Sequence, residues 1–319
     1  MEVSDPMKDV RDLHFIVIGS YVADCIANTA SIPMWDDNII ADSVRLTPGG
    51  KGLNQAIALA RLGARVSAVG VIAEDPAGLT ILNTLQVHGI DTSLMRHDQK
   101  SGTAICICFV GDSGQTAFLW RIPESMAITT EDIRKASAQL KSADGVLMTL
   151  EMPLASATEA LTILHESKAQ VALQPFPVPE GTHSLPFKAV DIVVPNLAEA
   201  RTFIQELGRM PSNDVETLPR QIHKETGIPH VMVTCGENGS LQFLNGKLDR
   251  FPAHHADKVI DTTGASDAFT AHLVASIAVG LPADVAVNNA SVAAAFAIQR
   301  PGGYDSMPWM PLGGKPQHA

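Results

Sequence analysis

At 319 residues, 45% of them hydrophobic, the chain carries enough apolar side chains to bury a core without disulfide or metal staples. Its formal net charge of −11 excludes a nucleic-acid partner, which needs clustered Lys and Arg to hold the phosphate backbone. No apolar run reaches the roughly 18 residues of a membrane span, so a membrane partner is excluded too.

Residues 1–12 carry charges of both signs and no signal-peptide core, and are expected to fray; Met7 is a second candidate start. Phe15-Ile16-Val17-Ile18-Gly19 follows, a short apolar run closed by glycine, the pattern of a buried parallel strand. The pattern recurs over 66–71, 145–150, 171–173, 191–194 and 231–234. Helical periodicity falls between these runs, over 52–62, 80–88, 131–140, 154–167, 197–207 and 215–226. Strands alternating with helices predict an α/β fold: a doubly wound, mostly parallel sheet flanked by helices. Two further helices are predicted over 266–279 and 283–299, joined through Gly280-Leu281-Pro282.

Two segments interrupt the alternation. Residues 22–46 have no helical pattern, and 103–120 read as two strands around Gly111, Asp112, Ser113 and Gly114. Inserted there, extended segments predict a small β-sheet lid over the crevice at the strand ends, within one domain spanning 1–319. Along 103–109, Ile105, Ile107 and Phe109 alternate with Ala104, Cys106 and Cys108, so both faces of that strand are apolar and expected to be covered. Cys25, Cys106, Cys108 and Cys235 form no CxxC pair and read as reduced thiols of a cytoplasmic protein.

Two motifs carry chemistry. Gly49-Gly50-Lys51-Gly52-Leu53-Asn54 runs straight into a helix: the glycines allow close backbone approach, the helix start offers free N–H groups, and Asn54 both donates to and accepts from hydroxyls. It is no Walker A loop, since no Gly-Lys-Ser/Thr follows at the required spacing. Asp261-Thr262-Thr263-Gly264-Ala265-Ser266-Asp267 opens another helix. The backbone N–H groups of Gly264, Ala265 and Ser266 form a candidate anion hole at a positive helix end, with Asp267 beside it to accept a hydroxyl proton. Taken singly, the first motif also reads as a glycine turn and Asp267 as a capping acid. A third pair, Asn196 and Glu199, stands at i, i+3 in a first helical turn, where oxygen ligands suit a hydrated Mg²⁺ and where a capping pair is the plain alternative.

Together these segments resemble the two signatures of the PfkB family of carbohydrate kinases, its ribokinase-like members in particular, and the resemblance covers nearly the whole chain. It implies ATP-dependent phosphorylation of a sugar hydroxyl. Asp267 is then the base, with Gly264, Ala265 and Ser266 at the transferring phosphoryl, and Asp24, Gly49, Gly50, Lys51, Asn54 and Glu151 bind the sugar. Asn196 joins Thr234, Gly236, Gly239 and Ser291 at the nucleotide. Glu199 is implied to hold Mg²⁺ through water, and Asp261 and Thr263 a monovalent cation such as K⁺. Family members also pair through the lid, which implies a homodimer.

The chain departs from the family at four places, one of them Ser291, which stands where ribokinase-like members tend to have Asn or His near the adenine. Ser266 stands where glycine is the rule; it keeps the N–H but disfavours positive φ. Val22 replaces a sugar-binding asparagine and cannot bond a hydroxyl, which puts ribose in question and leaves a nucleoside substrate as an alternative, while Ser266 leaves a non-catalytic sugar- or nucleotide-binding member of the fold as another. Arg121 begins a stretch through Ala127 that replaces small residues beside the lid.

Overall fold

The parallel strands of the main sheet are apolar at most positions because both of their faces are covered, and that double burial organises the molecule. The computed structural model describes residues 8–112, 115–312 and 314; Met1 to Met7, and Ser113 and Gly114 of the expected hairpin, lie outside them. The chain runs β1 (His14–Ile18), β2 (Val22–Asn28), β3 (Ser43–Gly49), α1 (Lys51–Arg61), β4 (Arg65–Val69), β5 (Val71–Ala73), α2 (Pro76–Val87), β6 (Arg96–Asp98), β7 (Ile105–Val110) and β8 (Thr116–Arg121). It continues through α3 (Thr130–Lys135), α4 (Ser137–Ser142), β9 (Gly145–Thr149), α5 (Leu154–His165), β10 (Gln170–Gln174), β11 (Ile192–Val193) and α6 (Leu197–Glu206). Last come α7 (Leu218–Thr226), β12 (His230–Thr234), β13 (Ser240–Leu244), β14 (Lys247–Phe251), α8 (Ala265–Ala278) and α9 (Ala283–Ala297).

The main sheet is eight-stranded, ordered β14-β13-β12-β11-β10-β9-β1-β4. It is parallel from β12 to β4 and antiparallel over β12-β13-β14. In β1, Ile16 and Ile18 face the core under α3 to α7, while Phe15 and Val17 face the core under α1, α2, α8 and α9. The strand alternation thus divides one continuous apolar run between two cores.

Three details depart from the sequence reading. The helix expected over 131–140 is two helices, α3 and α4, meeting at Ala136. The segment 215–226 begins as a 3₁₀ turn before α7. The sheet gains an antiparallel edge, β13 and β14, turned by Asn245 and Gly246, both at positive φ (51° and 78°). That is the two-residue hairpin turn Asn-Gly favours.

A second sheet, β3-β2-β7-β8, stands apart from the first. Its central pair, β2 and β7, is parallel, with Asp24 beside Cys106, and β8 sets Trp120 opposite Cys106. One face of this sheet looks onto the ends of the main-sheet strands, where β1, β9 and β10 deliver the chain to the crevice. No helix among the described residues is long and apolar enough to cross a membrane.

Candidate active site

Two helices aim their N-termini at the crevice. α1 begins after Gly49 and Gly50; Gly50 has φ 97°, and a Cβ there would sit 2.6 Å from the Ser20 carbonyl oxygen. At Gly49 a Cβ would overlap the Asp24 carboxylate, so only glycine lets that carboxylate lie against the backbone. α8 begins after Gly264, whose φ is 78°. Ser266 lies inside the helix, at negative φ, so serine there carries no backbone strain. The Ala265 N–H turns back onto the Thr262 carbonyl at 3.3 Å. Ser266 and Asp267 lie in the first helical turn, where N–H groups have no helical acceptor, so theirs remain to meet an anion.

Asp267 is buried and held on both oxygens. Asn54 Nδ2 donates to Oδ2 at 2.9 Å, and the Gln55 and Gln174 amides lie against Oδ1 at 3.1 and 3.2 Å. Burial pushes its pKa upward; the Lys51 ammonium and the two amide donors pull back without cancelling the rise. Lys51 is affected in the opposite sense: burial works against its charge, but Asp267, Glu199 and Glu151 outweigh it and hold the ammonium above its ordinary pKa. Its Nζ stands 3.6 Å from Glu199 Oε1 and 4.9 Å from the centre of the Phe176 ring. Asp24 is buried with only like charges around it. Burial first, then Asp267, Glu151 and Asp261, push its pKa up to about 7. Glu151 accepts from Thr149 Oγ1 at 3.0 Å and from the Ser20 N–H at 3.3 Å.

Two cavities meet at this point. One, of about 400 Å³, is lined by Asp24, Gly50, Lys51, Asn54, Glu151, Glu199, Thr263, Gly264 and Asp267, with Val22, Phe118, Trp120 and Phe176 as its apolar wall. Asn54 Oδ1 is buried without a partner and awaits a donor. The other, of about 870 Å³, is lined by Thr234, Gly236, Gly239, Ala265, Phe269 and Ser291, with His254 and His255 on its rim loop. Asn196, Thr262 and Ser266 line both, so the anion turn is the doorway between them.

The remaining sequence candidates fall around this doorway with different partners. Asn196 and Glu199 form a reciprocal capping box: Glu199 Oε2 accepts from the Asn196 N–H and Asn196 Oδ1 from the Glu199 N–H, each at 2.9 Å. That occupies one Glu199 oxygen and leaves Oε1 toward Lys51. Asp261 lines neither cavity; it is buried, with Oδ1 accepting from the Thr263 N–H at 2.9 Å and Oδ2 from the Gly302 N–H at 2.8 Å. Thr263 Oγ1 is buried with no oxygen or nitrogen partner, beside the Cys108 thiol. Among the described residues no group of three His, Cys, Asp or Glu is placed to hold a metal ion. Arg121 is exposed at the rim of the smaller cavity.

Sequence reasoning missed Gln55, Gln174, Phe118, Trp120 and Phe176. Gln55 sits next to Asn54 in the first motif. Gln174 and Phe176 lie at the carboxyl end of β10, where open α/β sheets place ligand-facing residues, so strand-end position was the available signal.

The molecule has clear relatives. The profile of the "pfkB family carbohydrate kinase" matches residues 12–310. The chain is 27% identical to a ribokinase of Haemophilus influenzae over 92% of this chain and 94% of that one. It is 29% identical to a Bacillus subtilis ribokinase over 92% and 95%. Among solved structures, Arabidopsis thaliana ribokinase complexed with ribose and ATP superposes with a TM-score of 0.77 at 25% identity, covering 93% of this chain and 96% of that one.

Proposed function

This chain belongs to the pfkB family of carbohydrate kinases, a phosphotransferase acting on an alcohol group, and from that premise we propose how its own residues perform the transfer. The observation that carries the reading is the position of Asp267, buried at the doorway between two cavities beside the free N–H groups of a helix start. The smaller cavity takes the sugar and the larger takes ATP. Asp24, Glu151 and Asn54 Oδ1 accept from sugar hydroxyls, and Lys51 donates. Thr234, Gly236, Gly239 and Ser291 line the nucleotide.

Asp267 accepts the proton of the attacking hydroxyl as the new oxygen–phosphorus bond forms and the bond between the β- and γ-phosphates breaks, releasing ADP. Asn54 and Gln55 fix the plane of the carboxylate. The Ser266 and Asp267 N–H groups, on a positive helix end, stabilise charge on the transferring phosphoryl. Mg²⁺ bound with ATP would supply charge neutralisation, and Glu199 Oε1, the oxygen its capping box leaves free, would hold it through water. Thr263 Oγ1, whose neighbour is the Cys108 thiol, and the Asp261 carboxylate suit a monovalent cation behind the anion turn.

A second substrate reading rests on the apolar wall. Val22, Phe118, Trp120 and Phe176 give a bare pentose little to bond, whereas the flat face of a nucleoside base buries against such rings. ADP formation from ATP across a panel of pentoses and nucleosides tests both readings. Turnover of some panel member is expected, and binding without any turnover would overturn the kinase assignment.

We place the protein in the cytoplasm, where its four free cysteines would stay reduced. We also read it as a homodimer joined through the small sheet. On the outer face of that sheet Val44, Leu46 and Leu119 are 64%, 62% and 64% exposed in one chain, against the expectation that both faces are covered. A second copy covers them, and a monomer by light scattering would refute the pairing.

A further inference from the structure

Gln174 is the last residue of β10, 1% exposed, and belongs to neither sequence motif. Its side-chain amide reaches Ser266 Oγ at 2.9 Å, Lys51 Nζ at 3.1 Å and Asp267 Oδ1 at 3.2 Å. An amide nitrogen cannot face an ammonium, which has donors only. The Gln174 oxygen therefore takes both Lys51 and the Ser266 hydroxyl, and its NH₂ donates to Asp267 Oδ1, which requires the neighbouring Gln55 amide, 2.5 Å away, to present its oxygen to that NH₂. A serine in an anion turn brings a hydroxyl that would otherwise compete for a phosphate oxygen or for the neighbouring carboxylate. Here that hydroxyl has a dedicated acceptor on the main sheet, away from the doorway.

We propose that Gln174 is a positioning residue matched to Ser266: it draws the serine hydroxyl out of the phosphoryl path and binds the anion turn, the Lys51 ammonium and the Asp267 carboxylate into one unit. The chain tolerates serine at this turn because its φ is helical and because Gln174 answers the hydroxyl. Each change then has meaning only in the presence of the other. Gln174 touches no substrate in this account; it acts through the three groups it holds, and the inference rests on Asp267 being the base.

The test is a double-mutant cycle on the full chain, with ATP and the best substrate of the panel, using Gln174→Met, Ser266→Gly and the double variant across the neutral pH range. Gln174→Met is expected to lower kcat by about tenfold while both KM values stay within about threefold. It should also move the acid limb of the pH–rate profile upward, because Asp267 loses a donor to its ionised form. The double variant should be no slower than the slower single variant. Losses that simply multiply, with an unmoved acid limb, would overturn the pairing. If Gln174→Met does not fold, Gln174→Asn, one methylene too short to reach Ser266, completes the same cycle. Asp267→Asn is run alongside. Full activity there sinks the base assignment itself, whereas an inactive Asp267→Asn with a multiplicative cycle sinks only the role of Gln174.

Discussion

The turn that opens α8 and the sheet β3-β2-β7-β8 face each other across one cavity, and they are made of opposite materials. The turn is half-buried, and its acid, Asp267, is buried and held by amide groups on both oxygens. The sheet presents Phe118 and Trp120, 53% and 41% exposed, with no polar partner fixing either ring. Transition-state stabilisation needs groups already fixed when charge develops, and a cross-bonded turn with a buried acid supplies that. Substrate choice needs area and shape, which apolar side chains on a thin sheet supply, and which change by substitution without disturbing the turn. The comparison predicts that damage to the turn falls on kcat and damage to the sheet on KM.

The largest effect tests the turn directly. Asp267→Asn keeps the shape and loses the base, so kcat should fall by at least about 10²–10⁴-fold. ATP binding by calorimetry should stay near wild type, because the nucleotide cavity does not use that carboxylate. A variant that turns over normally removes the chemical role of the turn and the contrast with it.

Gly264→Ala comes next. A Cβ there would stand 2.6 Å from Met307 Cε and 3.3 Å from Gly303, at a φ of 78° that alanine disfavours. The expected cost is about 1–3 kcal/mol of stability. A loss in kcat of about 10²–10³-fold should accompany it as the N–H groups shift off the phosphoryl. Thermal melts and steady-state kinetics separate the two. A fall in stability with unchanged kcat would show the turn to be scaffold only.

Much of this contrast is visible in the sequence, and the reason it is not all visible is physical. The parallel strands of the main sheet are legible because double burial makes most of their positions apolar, and the turn is legible because its glycines, N–H groups and acid are neighbours in the chain. The partners of that acid are not. Gln55 lies 212 residues from Asp267 and Gln174 92 residues from Ser266, brought together only by the packing of β10 and α1 against α8. The apolar wall is hidden for the same reason, since Trp120 of β8 and Phe176, just beyond β10, have ring centres 6.0 Å apart but lie far apart in the chain. Asn196 and Glu199 show the converse: their spacing is plain in sequence, but it is first the spacing of a capping box, and only Glu199 Oε1 remains for anything else. The β13–β14 edge carried its signal in Asn245 and Gly246 and was still passed over, because a helix-flanked parallel pattern gives no reason to look for a hairpin.

On the sheet side, Trp120→Ala removes ring area from the cavity wall without touching a polar group. The KM of the preferred substrate should rise by about tenfold, corresponding to about 1.4 kcal/mol, with kcat nearly unchanged. Measured on a pentose and on its nucleoside, the variant also decides between the two substrate readings. A loss confined to the nucleoside favours stacking on this wall, and an equal loss on both favours simple closure of the cavity. A fall in kcat with unaltered KM would put the ring in the chemical step and break the contrast.

The smallest effect lies where the two halves touch, at Asp24, a β2 residue that faces Glu151 and Asp267. Its pKa is pushed up from an ordinary value of 3.8 to about 7 by burial and by those neighbouring charges. The folded state therefore holds a proton that the unfolded chain releases near 3.8. The stabilisation this gives is fully present below that value and is lost as pH rises through about 7. Asp24→Asn, which cannot ionise, should melt close to wild type only below about pH 4 and increasingly above it as pH rises, with the full margin of a few degrees reached beyond about 8, at about 2–4 °C for each kcal/mol. Substrate binding should run the other way: only the ionised carboxylate accepts from two hydroxyls at once, so wild-type kcat/KM should rise through the same interval and that rise should vanish in the variant. A melting difference that is flat with pH would mean Asp24 is already ionised in mild acid, and the sheet would then contribute a fixed charge to the site in place of a titrating one.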